Sequence, residues 1–232
     1  MKSAPSKLWP LFLSLQLTTS LLVLSEFLSG KFHYAFRDIG SDSYGQSAMY
    51  GVYFAKAFPN EGFTGWSFQL GLGSPTVALM GDLTSLLIQF AGPENILSTR
   101  IFVYLAKLTL GGAFFLCFAR ILIERWETAV ISAIAYSFCG FMVINGQWDG
   151  EATAYVFYPL VLWAIANHLR SGCVLWLPIA VATSLLFGTF FVSLGVFLVF
   201  SYVICVACSD RPRSMALQWI RTVFPLAALG YL

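Results

Sequence analysis

Charged residues are scarce in this chain. They make up 10% of its 232 residues, whereas hydrophobic residues make up 58% and the mean hydropathy is +0.77. A soluble domain carries roughly 25% charged and about 45–50% apolar residues. The composition therefore excludes a soluble enzyme, a disordered chain and a secreted disulfide scaffold, and it predicts an integral membrane protein.

Signatures of several chemistries are also missing. The net charge is only +2 and no basic cluster stands out, which argues against a nucleic-acid partner. The two histidines, His33 and His168, are far apart in the sequence. The single C-x-x-C pair, Cys205 and Cys208, has no second pair to complete a zinc site. We therefore predict no metal centre and no bound cofactor, and leave open only a divalent cation held by carboxylates.

Long apolar blocks dominate what is present. A spanning helix needs about 20 apolar residues, and the blocks lack the alternation that is typical of a β-barrel strand. We predict an all-α integral membrane protein with six or seven transmembrane helices. The predicted spans are residues 8–28, 101–118, 128–144, 152–169, 175–187, 190–207 and 217–232. They are expected to form a single module, which could be the N-terminal part of a longer protein.

One long polar interval, residues 31–95, separates the first span from the others. A structureless loop of this length would be unusual. Two of its segments, residues 44–58 and 75–90, are apolar enough to form short helices but not spans. We predict that they lie in the membrane interface, under or within a large first loop.

The charged residues predict an orientation. Short loops rich in Lys and Arg mark the cytoplasmic side. The basic residues of one side are Lys2, Lys7, Arg120, Arg125, Arg170, Arg211 and Arg213. The acids of the other side are Asp38, Asp42, Glu61, Asp82, Glu94, Asp149 and Glu151. The N-terminus is therefore predicted to lie inside, and the loop of residues 31–95 to face outward.

The outward carboxylates are the first candidate site residues. Asp38 and Asp42 lie four residues apart near the start of the loop. A carboxylate held at the membrane surface can act as a general base or bind a divalent cation, although a solvated loop carboxylate is the simpler interpretation. Asp149 and Glu151 lie in a second outward turn, which can approach the first loop. Helix capping is the alternative role for this second pair.

The basic residues of the outer half form a second candidate group. Lys107 lies inside the second span, where an unpaired charge costs about 2.5–3.5 kcal/mol. It could meet an anionic headgroup, a phosphate or Glu26, or it could pair with a neighbouring helix. Four further residues are candidate contacts for an anionic lipid headgroup, or else they neutralise nearby acids: Lys31, Arg37, Lys56 and Arg100.

Several short motifs together resemble one family. Residues 42–46, Asp-Ser-Tyr-Gly-Gln, match a D-x-x-x-Q element, and residues 66–73 match a W-x-x-x-x-G-x-G stretch. Residues 135–141 are similar to an A-Y-x-F-S-G-F run, residues 158–160 to L-P-L, and Lys107 occupies the position of a family lysine. Over residues 8–205 the chain resembles the YfhO-like proteins of the GT-C membrane glycosyltransferases.

The resemblance implies an enzyme that moves a sugar from a polyprenyl phosphate carrier to an acceptor on the outer face of a bacterial cytoplasmic membrane. It implies that Asp42 is the general base, with Asp38, Gln46 and Asp149 as supporting polar groups. The chain departs from the family where Gln147-Trp148-Asp149 replaces a frequent histidine, and it is shorter than most members. A non-catalytic membrane subunit that packs against other membrane proteins is therefore the alternative; a transporter has weaker support.

Overall fold

The computed structural model describes residues 7–35, 48–62, 65–68, 72–75, 85–173 and 175–187. Four predicted site residues, Arg37, Asp38, Asp42 and Gln46, lie outside these ranges, as do the predicted sixth and seventh spans. The described helices are α1 (Leu8–Val23), α2 (Ser25–Leu28), α3 (Met49–Glu61), α4 (Ser85–Phe90), α5 (Ile96–Leu122), α6 (Trp126–Ser137), α7 (Gly140–Asn145), α8 (Asp149–Ser171) and α9 (Trp176–Phe187).

Within the described residues, three helical segments are long and apolar enough to cross a membrane. They are Ile96–Leu122, Trp126–Asn145 and Gly150–Ser171, and they contain the predicted second, third and fourth spans. The predicted first span contains a shorter apolar helix, Leu8–Val23, and the predicted fifth corresponds to α9. The helical membrane architecture is thus confirmed, while the total of six or seven spans stays a prediction.

Two predicted spans are interrupted. The first is divided at Leu24, which separates α1 from α2. The third is divided at Cys139, whose backbone is extended (φ −65°, ψ 159°) and which precedes Gly140 at the start of α7. Ser25 and Glu26 follow the first break, and Gly140, a weak helix former, follows the second. Apolar residues resume beyond both breaks, so each block still looks like one span.

Short helices occur in both apolar segments of the first loop. Phe58 of α3 stacks on Phe54 at 5.2 Å and meets Phe90 of α4 edge-on at 5.6 Å. Ile88 and Ile96 are buried in the same apolar cluster. The two loop helices therefore pack together at the beginning of α5, while their position at the membrane interface remains a prediction.

A small hairpin in the glycine-rich part of this loop was not expected. Strands β1 (Trp66–Ser67) and β2 (Ser74–Pro75) pair antiparallel, with Trp66 opposite Pro75. Gly73 has a φ of +103°, and a Cβ there would collide with the indole of Trp66. Glycine is thus required at this position for both its backbone conformation and the close approach of the tryptophan.

The chain divides into two compact units, and α5 contributes to both. The first unit comprises residues 1–12, 110–137 and 154–232. Its core joins the beginning of α1 to α5 and α6 through Phe12, Leu116 and Val130, and joins α8 to α9 through Ile165 and Leu177. The second unit comprises residues 13–109 and 138–153.

Small residues and stacked rings hold the first unit together. A Cβ on Gly112 would collide with the Ser137 hydroxyl and lie 3.0 Å from the Phe12 ring. Tyr136 stacks between Phe115 (4.4 Å) and Tyr155 (4.3 Å), and its hydroxyl donates to the Tyr155 carbonyl oxygen at 2.7 Å. Close approach at small residues is the usual means of association between helices in membranes, where hydrophobic burial gives little driving force.

Candidate functional site

One face of α5 is polar in its first half. Arg100, Tyr104 and Lys107 follow each other at spacings of four and three residues, which places them on one side of a helix. They are only 3%, 4% and 3% exposed, whereas Phe102 on another side is 58% exposed. We call these three residues the polar face of α5. Two cationic side chains of a helix that is apolar enough to cross a membrane are thus buried inside the protein.

Two residues of this face hold backbone carbonyl groups. The Arg100 guanidinium Nη2 donates to the carbonyl oxygen of Gln147 at 2.7 Å. The Tyr104 hydroxyl donates to the carbonyl oxygen of Met142 at 2.7 Å, and both bonds are buried. The Met142 carbonyl oxygen also accepts the Gly146 N–H at 2.9 Å, so Tyr104 adds a second hydrogen bond at the end of α7. The bonds from Arg100 and Tyr104 fix the turn between α7 and α8 against α5.

Glycine allows this turn to come so close. A Cβ on Gly146 would collide with the Tyr104 ring and with the Met142 carbonyl oxygen. The turn continues directly into α8, which begins at Asp149. Arg100, Tyr104 and Gly146 therefore determine where this predicted outward turn lies.

Tyr104 also contacts the beginning of the first loop. Tyr34 stacks on the Tyr104 ring with centroids 4.3 Å apart and an angle of 18° between the planes. Phe27 meets Tyr34 edge-on at 5.4 Å, and Tyr34 is 3% exposed. One tyrosine of α5 is thus in contact with both the chain that enters the first loop and the turn that precedes Asp149.

The predicted basic residues fall into two classes. Arg100 and Lys107 are buried, and each has further interactions within the protein. Lys31 and Lys56 are on the surface. The Lys31 ammonium lies 2.9 Å from the Glu26 carboxylate, so the acid considered as a partner for Lys107 is bonded to another lysine. Arg100 is covered by the turn between α7 and α8, while its position near the outer membrane surface stays a prediction.

The acids give less information. Asp149 begins α8, but its side chain is outside the described parts of the structure. Among the described residues, no three His, Cys, Asp or Glu side chains are close enough together to bind a metal ion. Of the candidate site, the structure thus describes the buried cations Arg100 and Lys107 and the stacked rings of Tyr34 and Tyr104.

Sequence reasoning did not single out Tyr34, Tyr104 or Gly146. Two features of the sequence could have indicated them. Tyr104 lies four residues after Arg100, and Gly146 is a glycine in a short polar turn. It also missed a buried stripe on α1 at every fourth residue, in which Gln16 is 2% exposed and Ser20 is fully buried. The Gln16 amide has no hydrogen-bond partner among the described residues.

The chain matches one protein-family model. Residues 22–231 match the family described as "Bacterial membrane protein YfhO", which confirms the resemblance seen in the motifs. No curated protein and no solved structure matches the chain.

Proposed function

The chain belongs to the YfhO family of bacterial membrane proteins, and from this premise we propose that it is a membrane glycosyltransferase of the GT-C type, or the N-terminal module of one. It transfers a sugar from a polyprenyl phosphate carrier to an acceptor on the outer face of the bacterial cytoplasmic membrane. Its N-terminus lies inside, and the loop of residues 31–95 faces outward. The orientation follows from the distribution of Lys and Arg.

The observation that carries the proposal is the polar face of α5. A departing carrier phosphate carries negative charge. Buried cations stabilise a negative charge more strongly than solvent-exposed cations, because the effective dielectric constant is lower inside the protein. Arg100 and Lys107 are both 3% exposed on this face. Lys107 is the proposed phosphate ligand of the pair, because it occupies the position of a lysine in the family motifs. Lys31, Arg37 and Lys56 are the proposed contacts for the rest of the headgroup.

The proposed reaction uses Asp42 as the general base. Its carboxylate takes the proton of the acceptor hydroxyl while that oxygen attacks the anomeric carbon of the sugar. The bond from the anomeric carbon to the carrier phosphate oxygen breaks, and the phosphate leaves with the electron pair. Asp38, Gln46 and Asp149 support the acceptor as polar neighbours.

Replacing the base tests this proposal. Asp42→Asn keeps the shape of the side chain and removes its basicity, so transfer from a lipid-linked sugar in membranes should fall by about 10²–10⁴-fold. Asp38→Asn is the matched control, because Asp38 is outside the D-x-x-x-Q element, and it should change the rate far less. Both variants are compared at equal amounts of inserted protein. Full activity of Asp42→Asn would reject the assignment of the base.

A specific observation favours a second candidate, a non-catalytic membrane subunit. Both Arg100 and Tyr104 bind backbone carbonyl groups, which is a structural role. If the unmodified chain transfers no sugar with any carrier or acceptor tried, and instead copurifies with a defined membrane protein, the subunit is the better description.

A further inference from the structure

A groove lies where the end of the first predicted span meets the beginning of α5. Its volume is ≈ 320 Å³, which is within the range of about 300–1,000 Å³ that small-molecule sites occupy. The walls come from the chain following α1 and from the first turns of α5. Its apolar lining consists mainly of Phe27, Leu28, Phe32, Leu97, Ile101 and Phe102.

The groove is suited to hydrocarbon. Phe32 and Phe102 are 51% and 58% exposed although both line it, and Phe102 belongs to a helix that is apolar enough to cross a membrane. Of the two, Phe102 is exposed on such a helix and is therefore expected to contact lipid. The groove therefore opens toward lipid, where acyl chains are the most abundant apolar groups.

Two opposite charges, Lys31 and Glu26, lie next in sequence to residues that line the groove, although neither lines it. The Lys31 ammonium is 2.9 Å from the Glu26 carboxylate, and their side chains are 61% and 57% exposed. Lys31 also lies 5.2 Å from the centre of the Phe32 ring, which is part of the lining. Because both charges are accessible, a ligand can approach the cation and the anion together.

This pattern selects a headgroup. A phosphate next to an ammonium group matches a cation next to a carboxylate, each charge meeting its opposite. An anionic headgroup without an amine would leave its phosphate facing the Glu26 carboxylate uncompensated. A quaternary amine has no N–H to donate to that carboxylate, unlike a primary ammonium, which has three such hydrogens.

We infer that the groove binds one acyl chain of a phosphatidylethanolamine molecule, with the lipid phosphate at Lys31 and the lipid ammonium at Glu26. Ser98, which lines the groove, offers a hydroxyl. This lipid site goes beyond the proposed glycosyl transfer, but the two share Lys31, which is also a proposed contact for the carrier headgroup. The groove holds a lipid of the surrounding bilayer rather than a lipid-linked sugar.

Native mass spectrometry of the full chain in detergent tests the headgroup. The protein is mixed with equal amounts of phosphatidylethanolamine, phosphatidylglycerol and phosphatidylcholine of the same acyl chains, and the bound fraction of each is measured. We expect phosphatidylethanolamine to be retained most.

Lys31→Gln should weaken binding of all three lipids by about three- to tenfold, as expected for loss of a partly exposed charged contact. Glu26→Gln should remove the preference while leaving phosphatidylglycerol bound at least as well. Lys7→Gln, at an exposed lysine of the predicted cytoplasmic side and outside the groove, should change nothing.

A second variant tests the groove without changing charge. Ser98→Trp places a large ring at the edge of the groove, and the control Leu110→Trp places the same ring on a lipid-exposed part of α5 outside it. Ser98→Trp should lower lipid retention at least about threefold relative to Leu110→Trp. Equal retention by these two variants, or equal retention of the three lipids by the unmodified protein, would overturn the inference. Retention of a polyprenyl phosphate in place of all three phospholipids would overturn it as well and would assign the groove to the carrier.

Discussion

The first half of α5, residues 96–109, buries two cationic side chains, whereas the second half, residues 110–122, packs through glycine and apolar residues. In the first half, Arg100 and Tyr104 donate hydrogen bonds to backbone carbonyl oxygens at the turn between α7 and α8. In the second half, Gly112 has no side chain, and the Ser137 hydroxyl and the Phe12 ring pack closely against it. One helix thus combines a polar segment that positions loops with an apolar segment that joins helices. The proposed function assigns the functional residues to the first half, and the contrast allows that assignment to be tested.

The largest effect is expected in the apolar half. Gly112→Ala adds a Cβ that would collide with the Ser137 hydroxyl, so it should lower the free energy of unfolding by about 1–3 kcal/mol, as overpacking does. Unfolding by SDS titration in mixed micelles measures the change. Gly140→Ala is the control, because nothing lies within 4 Å of a Cβ at that position. Similar stabilities of the two variants would show that close packing does not hold this half together.

The same substitution, tyrosine to phenylalanine, allows the contribution of one hydrogen bond to stability to be compared in the two halves. Tyr104→Phe and Tyr136→Phe each remove one hydroxyl that donates to a backbone carbonyl oxygen at 2.7 Å, and each keeps the ring stacking. Each should lower the free energy of unfolding by about 0.6–1.5 kcal/mol. The same SDS titration measures both. A loss several times greater for one of them would mean that the two bonds are not equivalent in stability.

A smaller effect of the opposite sign is expected at α1. The Gln16 amide is buried without a hydrogen-bond partner among the described residues, so Gln16→Leu should raise the free energy of unfolding by about 1 kcal/mol. Gln147→Leu makes the same change at another buried glutamine, one that does interact within the protein, and should not stabilise it. A loss of stability in Gln16→Leu would indicate that a bound water or ligand satisfies the amide.

The sequence was sufficient for the coarse architecture and for the family. Apolar blocks located α5 and α8 because a bilayer imposes a minimum length of apolar helix, and the motifs predicted the family that residues 22–231 match. The breaks at Leu24 and Cys139 were missed because apolar residues resume beyond each of them, so each block is long enough to be one span.

The site was harder to predict for a related reason. Lys107 stood out because a charge in an apolar helix is costly wherever it points. The burial of Arg100 could not be predicted, because its position near the end of a span says nothing about a turn folding over it. Tyr104 and Gly146 carry no charge, and their roles arise only from contact between segments distant in sequence. Such contacts are invisible to periodicity and motif spacing.

The most direct measurement of the central claim is sugar transfer by Tyr104→Phe and Tyr136→Phe, assayed with a lipid-linked sugar in membranes at equal amounts of folded protein. The two variants lose the same kind of hydrogen bond, but only Tyr104 contacts both the beginning of the first loop and the turn before Asp149. We predict that Tyr104→Phe lowers the transfer rate about tenfold or more, as a misplaced site residue does, and that Tyr136→Phe leaves it nearly unchanged. Equal rates for the two variants would contradict the assignment of the functional site to the first half of α5.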